Sequence, residues 1–411
     1  MVKLKRLKIH QYRNVRPGTE LHFDDGVNLV LGQNGSGKTT LLGLISAASR
    51  SAFIELANEE FEIEYDLQCD DNFIRAKASH RRQPNPVPTG MFTVEHLWSD
   101  DYSVEISDAT GQPLHSLAFN NPSESTSRST TPLVLGWSFI VAALMGRVDS
   151  FLGVINDLLT GASAFRFDES LDCFAAATGR PPVLESPALP KPARMAWRQQ
   201  PFSQEINYVP GSFWLKIINE FFRTGERPAS LGGADEDFAK RVAQILRVSE
   251  VSLEPNVQSW QNTKGEKSLL IEGFTFWVTR VDGTRIHHDL LSYGQKRLLA
   301  FFFYLAQNPS IVIADELVNG LHHRWIEACM TAIGERQAFL TSQNPLLFEY
   351  VRFESIEQVQ SAFITCKTEI IDGAEQLVWQ NMPREDAISF FRGYEADIES
   401  VGDILINRGL W

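Results

Sequence analysis

One segment constrains this chain more than any other: a short, largely apolar run, Val27–Leu31, followed at once by Gly32-Gln33-Asn34-Gly35-Ser36-Gly37-Lys38-Thr39-Thr40 and then by Leu41, Leu42, Leu44 and Ile45. The run suits a strand buried on both faces. The second apolar set suits a helix, and the glycines between them satisfy the spacing G-x-x-x-x-G-K-[ST]. Gly32, Gly35 and Gly37 let the backbone curl so that its N–H groups converge on phosphate oxygens. A helix N-terminus adds a favourable field, and Asn34, Ser36 and Thr40 complete the cradle. Lys38 is placed to reach the terminal phosphates, and the Thr39 hydroxyl is a hard oxygen ligand suited to Mg2+. A strand, loop and helix in this order demand an α/β architecture around a parallel sheet.

A second apolar run, Ile311-Val312-Ile313-Ala314, ends in Asp315-Glu316. Carboxylates at the C-terminal end of a buried parallel strand lie where open α/β sheets bind ligands. Asp315 suits a metal ligand acting through water, and Glu316 suits a base that orients or deprotonates an attacking water. A third strand, Ala338–Thr341, leads to Ser342-Gln343-Asn344-Pro345.

Between the phosphate loop and Asp315 lies Leu291-Ser292-Tyr293-Gly294-Gln295, opening an apolar helix over Lys296–Ala306. Ser292 suits an N-cap, Gly294 a close backbone approach, and the helix start an anion. Together these segments resemble ABC-type P-loop ATPases of the RecF/SMC/OLD-like group, whose LSGGQ signature Leu291–Gln295 matches with Tyr293 in place of the first glycine. The resemblance implies an ATP- and Mg2+-dependent ATPase head: a mainly parallel core sheet, an antiparallel β subdomain and, here, a helical insertion. It implies a homodimer or higher oligomer that sandwiches ATP between the phosphate loop of one chain and Ser292, Gly294 and Gln295 of another. His322, in Asn319-Gly320-Leu321-His322, falls where the family carries a cross-dimer loop; an ordinary surface histidine is an equal reading. Arg13 falls where related heads place a basic residue near the nucleotide, and a solvated strand-end arginine is the competing reading. The family usually has a switch histidine at the position of Gln343, which can donate to a γ-phosphate but carries no proton at neutral pH. The family's Q-loop glutamine is not assignable between Gln68 and Gln83. His287-His288, on a strand, would point to opposite faces and make a poor metal site.

Resemblance covers the two ends of the chain, so the expected division is an N-terminal lobe at 1–131, a helical insertion at 132–250 and a C-terminal lobe at 251–411. Within these, Phe61–Ala78 reads as an antiparallel hairpin continued near Phe92–Trp98 and Tyr102–Ile106, and Asn120–Pro132 as a mobile loop. Leu133–Thr160, Phe213–Phe222 and Phe238–Leu246 read as helices, Arg180–Pro192 as an extended linker, and Ser268–Arg280 as strand. The long separation of phosphate loop and signature disfavours a transporter subunit. No apolar stretch reaches the about 18 residues that a membrane helix needs. The four cysteines lack metal-ligand spacing, so a cytoplasmic, reduced setting is expected. A net charge of −13 excludes a uniformly basic nucleic-acid coat. A local groove from Lys191, Arg194, Arg198, Lys240 and Arg241 stays open, and with it a RecF-like DNA-maintenance role. The preferred reading is a regulatory ATPase of a prokaryotic anti-phage defence system with a separate effector such as a nuclease, because no metal-carboxylate cluster follows Gln343.

Overall fold

The computed structural model describes residues 2–82 (except 50, 52, 54, 55 and 57), 98–122, 164–165, 183–185, 224, 226, 231–232 and 237–407 (except 264, 265, 308, 309 and 397–400). In chain order the first strands are β1 (Val2–Tyr12), β2 (Thr19–His22) and β3 (Val27–Leu31), followed by helix α1 (Lys38–Ser49). Then come β4 (Phe61–Cys69), β5 (Asn72–Arg82), β6 (Trp98–Ser107), β7 (Pro113–Pro122), β8 (Ala164–Phe165), β9 (Val183–Glu185) and β10 (Leu231–Gly232). Helix α2 (Asp237–Leu246), β11 (Glu250–Thr263), β12 (Glu266–Thr279), β13 (Arg285–His287), α3 (Tyr293–Gln307) and β14 (Ile311–Ala314) follow. The chain ends with α4 (His323–Ile333), β15 (Gln337–Leu340), α5 (Ile356–Ala362), β16 (Phe363–Ile371), β17 (Ala374–Asn381), α6 (Arg384–Glu395) and α7 (Val401–Asn407).

These elements fall into two compact units, one of Met1–Ala164, Pro309–Asn319 and Ile333–Trp411, the other of Phe165–Asn308 and Gly320–Ala332. The expected boundary at 250/251 lies inside the second unit.

The first unit holds the parallel sheet, in the order β17-β16-β3-β15-β14-β8. Its central strand β3 runs parallel to β15 on one side and β16 on the other, and β14 runs parallel to β15. Asn28, inside the apolar run, is fully buried; its amide donates to the Asp24 carbonyl and accepts from the Asp24 N–H, both locally satisfied. β16 and β17 form the expected hairpin, turning at Asp372-Gly373 with φ of 53° and 78°.

A second, antiparallel sheet in this unit has the order β2-β1-β4-β5-β6-β7. Alternation decides its two faces. Leu4, Leu7, Ile9, Ile63, Tyr65, Leu67, Ile74 and Ala76 are buried in one cluster with Leu41, Leu42, Leu44 and Ile45 of α1. The other face is a charge ladder: Arg6 bonds Asp66 at 2.8 Å, Arg75 reaches the same carboxylate at 3.2 Å, Lys8 meets Glu20 at 3.1 Å, and Lys77 meets Glu62 at 3.0 Å. Gln337 ties the two sheets together, its amide donating to the carbonyls of Leu4 and Asp24 and accepting from the Leu4 N–H. Asn120–Pro122, expected to begin a mobile loop, instead extend β7 against Ser99–Asp101.

In the second unit, β11 and β12 form a long antiparallel hairpin flanked by β10, β13 and β9. Val183–Glu185, expected within an extended linker, pair with Ser268–Leu270. The described part of the expected helical insertion therefore contains short strands besides α2. Helix α3 is buried along Leu298–Leu305, and Phe303 meets Phe238 of α2 and Phe276 of β12 at ring distances of 5.4 Å each. The expected helices Leu133–Thr160 and Phe213–Phe222, the strand near Phe92–Leu97, and Lys191, Arg194, Arg198 and Gln83 lie outside the described residues.

Candidate functional site

The phosphate loop leaves β3 and enters α1 as its spacing dictates. Gly32 has φ of 147°, and a Cβ there would lie 2.2 Å from the Cys366 carbonyl oxygen of β16, so only glycine fits. Trp379 of β17 supports the loop from below, its indole N–H donating to the Ser36 carbonyl at 3.3 Å. Lys38 folds back over the loop, and its ammonium donates to the carbonyls of Gly32 at 2.7 Å and Gln33 at 3.0 Å. These carbonyl acceptors can be exchanged for phosphate oxygens. Ser36 is buried, and its hydroxyl has no hydrogen-bond partner among the described residues. A cavity of about 360 Å³ opens beside Gly32, Gln33, Asn34 and Ser36, with Thr365–Glu369 of β16 as its other wall.

Two carboxylates meet this loop from β14. Asp315 Oδ2 accepts from the Thr39 hydroxyl at 2.6 Å, and its Oδ1 accepts from the Thr341 hydroxyl at 2.5 Å. Thr39 and Asp315 thus present paired hard oxygens, the donor set that Mg2+ takes. Glu316 sits at φ 54°, in the left-handed region, and its N–H donates to the same Thr341 hydroxyl at 2.8 Å. Its carboxylate accepts from the Asn319 amide at 3.0 Å, the Gln343 N–H at 3.0 Å and the Gln343 side-chain amide at 3.3 Å. That same Gln343 amide lies 3.5 Å from Asn34 Oδ1. Lys38, Thr39, Asp315, Glu316, Gln343 and Asn34 therefore gather on one side of the loop.

Arg13 (φ 45°) lies beside the start of α1, 3.4 Å from the Thr40 hydroxyl, but its guanidinium forks onto Glu59 at 2.5 and 2.6 Å. That pairing holds the guanidinium pKa above its ordinary value, against the effect of burial. Gln68 donates to the Asp70 carbonyl at the β4–β5 turn. Cys366, behind Gly32, is a neutral thiol, its pKa pushed up by burial to about 12.

In the second unit, Ser292 and Gln295 form a reciprocal capping box. The Ser292 N–H donates to Gln295 Oε1 at 2.9 Å, and the Gln295 N–H donates to the Ser292 hydroxyl at 3.4 Å. Tyr293 accepts from the buried Arg297 at 3.1 Å, and its ring covers Gly320, where a Cβ would lie 2.7 Å from two ring carbons. A Cβ at Gly294 would in turn strike the Gly320 carbonyl at 2.8 Å. The substituted signature residue thus closes against the loop after Glu316. His322 is exposed and packs on His323 at 4.1 Å. His287 and His288 do not take opposite faces: their rings stack at 4.2 Å, because the chain leaves β13 between them.

Thr341, Asn319 and Glu59 are the residues that sequence reasoning missed. Thr341 is the first hydroxyl after the apolar strand and Asn319 stands three residues after Glu316; both spacings were visible.

Two family profiles match this chain. One described as an AAA domain matches residues 6–52, and one described as AAA domain, putative AbiEii toxin, Type IV TA system, matches residues 199–349. Over these two segments the chain is similar to AAA domains. Solved ATPase heads resemble this chain at low identity. The SMC head domain from Thermotoga maritima shares 12% identity over 93% of this chain and 99% of that one, with a TM-score of 0.34. An Smc head with an extended coiled coil, bound to the C-terminal domain of ScpA from Pyrococcus furiosus, shares 12% over 96% and 100%, with a TM-score of 0.36. No curated protein matches the sequence significantly. Among the described residues, no helix is long and apolar enough to cross a membrane.

Proposed function

We propose that this chain binds ATP with Mg2+ and hydrolyses it. The observation that carries the reading is the convergence of Thr39, Asp315, Thr341, Glu316, Gln343 and Asn34 in one hydrogen-bonded network beside the phosphate loop. Lys38 exchanges its two carbonyl bonds for phosphate oxygens when ATP binds. Thr39 and Asp315 would hold the Mg2+, which would supply charge neutralisation at the phosphates. Glu316 accepts a proton from the attacking water as the water oxygen bonds to the γ-phosphorus; the bond from the γ-phosphorus to the bridging oxygen breaks, leaving ADP and phosphate. Asn319 and Gln343 aim the Glu316 carboxylate, and Gln343, reaching toward Asn34, senses the γ-phosphate as a neutral donor.

The same proposal places Ser292, Gly294, Gln295 and His322 of a second copy over the nucleotide, so that ATP binding joins two heads. The profile naming a putative toxin of a toxin–antitoxin system supports a role in prokaryotic defence; a regulatory function with a separately encoded effector such as a nuclease, in a cytoplasmic setting, is part of the same proposal. For the DNA-maintenance alternative, the described cations give little support, since Arg241 is paired with Asp237 at 2.9 Å.

The test separates binding from turnover. Lys38→Ala is expected to weaken ATP binding at least about tenfold, the loss of one charge-assisted contact. Glu316→Gln is expected to bind ATP as wild type, to stop hydrolysis and to accumulate as a nucleotide-bound dimer in light scattering. Wild-type turnover by Glu316→Gln would remove Glu316 as the base.

A further inference from the structure

The turn that leads into the signature helix gathers three metal-ligating side chains. His287 ends β13, and His288–Leu290 form a single 3-10 turn. Asp289 bridges the edges of the two stacked imidazoles, with Oδ2 3.2 Å from His287 Nδ1 and Oδ1 3.5 Å from His288 Nε2. One donor atom from each of the three residues lies within 4.8 Å of the other two.

The buried member of this group is oriented by the backbone. His288 is 2% exposed; its Nδ1 accepts from the Phe276 N–H of β12 at 3.1 Å and lies 3.2 Å from the Phe276 carbonyl oxygen. Ligation through Nε2 exchanges the first bond for the second: Nδ1 carries the proton and donates it to that carbonyl, and Nε2 turns a lone pair toward Asp289. A backbone carbonyl on the far nitrogen is the outer-shell contact that orients metal-ligating histidines.

We propose that His287, His288 and Asp289 form a binding site for a divalent transition ion of the zinc class, which braces the turn into the signature helix. Two imidazole nitrogens and one carboxylate oxygen select such an ion over Mg2+ or Ca2+, which take oxygen shells. Bonds of about 2.0–2.2 Å require donors roughly 3.3 Å apart in a tetrahedron, so the widest pair must close by about 1.5 Å. His288 is the fixed point. Asp289, with 55% of its side chain exposed, and His287, with 33%, are able to make that adjustment. Three protein ligands leave a fourth position for water. Because the Leu291 N–H donates to the His288 carbonyl at 3.0 Å, an ion here fixes the backbone immediately before Ser292.

This inference rests on the second unit alone and stands whether or not the chain hydrolyses ATP. The test is titration of metal-stripped, tag-free full chain with Co2+, followed by visible absorption and by competition with Zn2+. One equivalent with a tetrahedral or five-coordinate spectrum, displaced by Zn2+, is expected for wild type and for Asp315→Asn, which removes the separate Mg2+ ligand. Losing an outer-shell partner costs about 10–100-fold in affinity, so removing a ligand is expected to cost about 100-fold or more. His287→Ala, on a half-buried side chain, and Asp289→Asn, on an exposed one, carry the test if His288→Ala fails to fold. The site is refuted if wild type takes up no Co2+, if those two variants bind as tightly as wild type, or if the signal disappears in Asp315→Asn instead.

Discussion

Thr341→Val isolates one hydroxyl that serves both carboxylates. The side chain is fully buried, and valine matches threonine in shape, so no cavity opens. What disappears is a donor to Asp315 at 2.5 Å and an acceptor for the Glu316 N–H at 2.8 Å. A hydrogen bond to a charged group is worth about 1.5–3 kcal/mol, and an orphaned N–H costs about 1–3 kcal/mol. Glu316 is partly exposed, so the lower ends apply and the sum is about 2.5 kcal/mol. Glu316 also holds a left-handed conformation, which for a non-glycine residue costs about 1–3 kcal/mol and persists only while its surroundings enforce it. Freed of Thr341, that residue is expected to relax and turn its carboxylate away from the phosphate loop. At about 2–4 °C per kcal/mol for a unit of this size, thermal unfolding should fall by about 5–10 °C, and ATP hydrolysis should be lost. Thr341→Ser keeps the hydroxyl and loses one buried methyl, about 0.8 kcal/mol, so it should retain turnover. Scanning calorimetry and a phosphate-release assay on both variants decide the matter. A valine variant that melts and turns over like wild type, or a serine variant no better than valine, would refute the reasoning.

Three further outcomes follow from the geometry. Gly32→Ala places a Cβ 2.2 Å from a backbone oxygen, so titration with a fluorescent ATP analogue should show affinity reduced more than tenfold, about 1.4 kcal/mol; unchanged affinity would mean that β16 yields. Ser292→Arg should leave ATP binding intact but abolish ATP-driven dimerisation and hydrolysis, and normal turnover by a monomer would end the two-chain site. The charge ladder predicts acid sensitivity. Burial raises the Asp66 pKa, but Arg6 and Arg75 outweigh it and hold the group below the ordinary carboxylate range; burial is likewise outweighed at Glu62 by Lys77 and Arg81. Stability from these groups is complete above their unfolded values of about 4 and is lost as pH falls through the folded ones. Asp66→Asn should therefore lose less stability than wild type between pH 5 and pH 3 by chemical denaturation.

Periodicity made the first unit legible where one physical rule acts alone. Leu7 and Ile9 alternate because one face of β1 is buried, with a bulge accounting for the three-residue step from Leu4, and the runs at Val27 and Ile311 are continuous because both faces are. The hairpins at Asp372-Gly373 and at Asp70-Asp71-Asn72 carried their own turn chemistry. The register of β11 was not legible, since Pro255 interrupts its strand pattern and only the partner β12 defines it. Glycine and lysine spacing placed the phosphate loop, but the Thr341 bridge depends on two strands meeting, which no local pattern encodes. The histidine pair misled for a definite reason: alternation holds only while a strand continues, and this one stops at His287.

Strand β3 has consequences for how the chain is made. It can pair only with β15 and β16, which lie near the other end of the sequence. A ribosome adding about 5–20 residues per second needs roughly 15–60 s to pass from Leu31 to Gln337. During that interval the hairpins of β4–β7 can close on their neighbours, while Val27–Leu31 waits with both edges open. The nascent chain thus carries an apolar strand without a partner, and a truncated product ending before Gln337 has no frame on which to hold its phosphate loop. Under the proposed function, nucleotide binding waits until Gln337–Leu340 and Phe363–Ile371 are made, and the strand left unpaired through that interval is the one that leads into the phosphate loop.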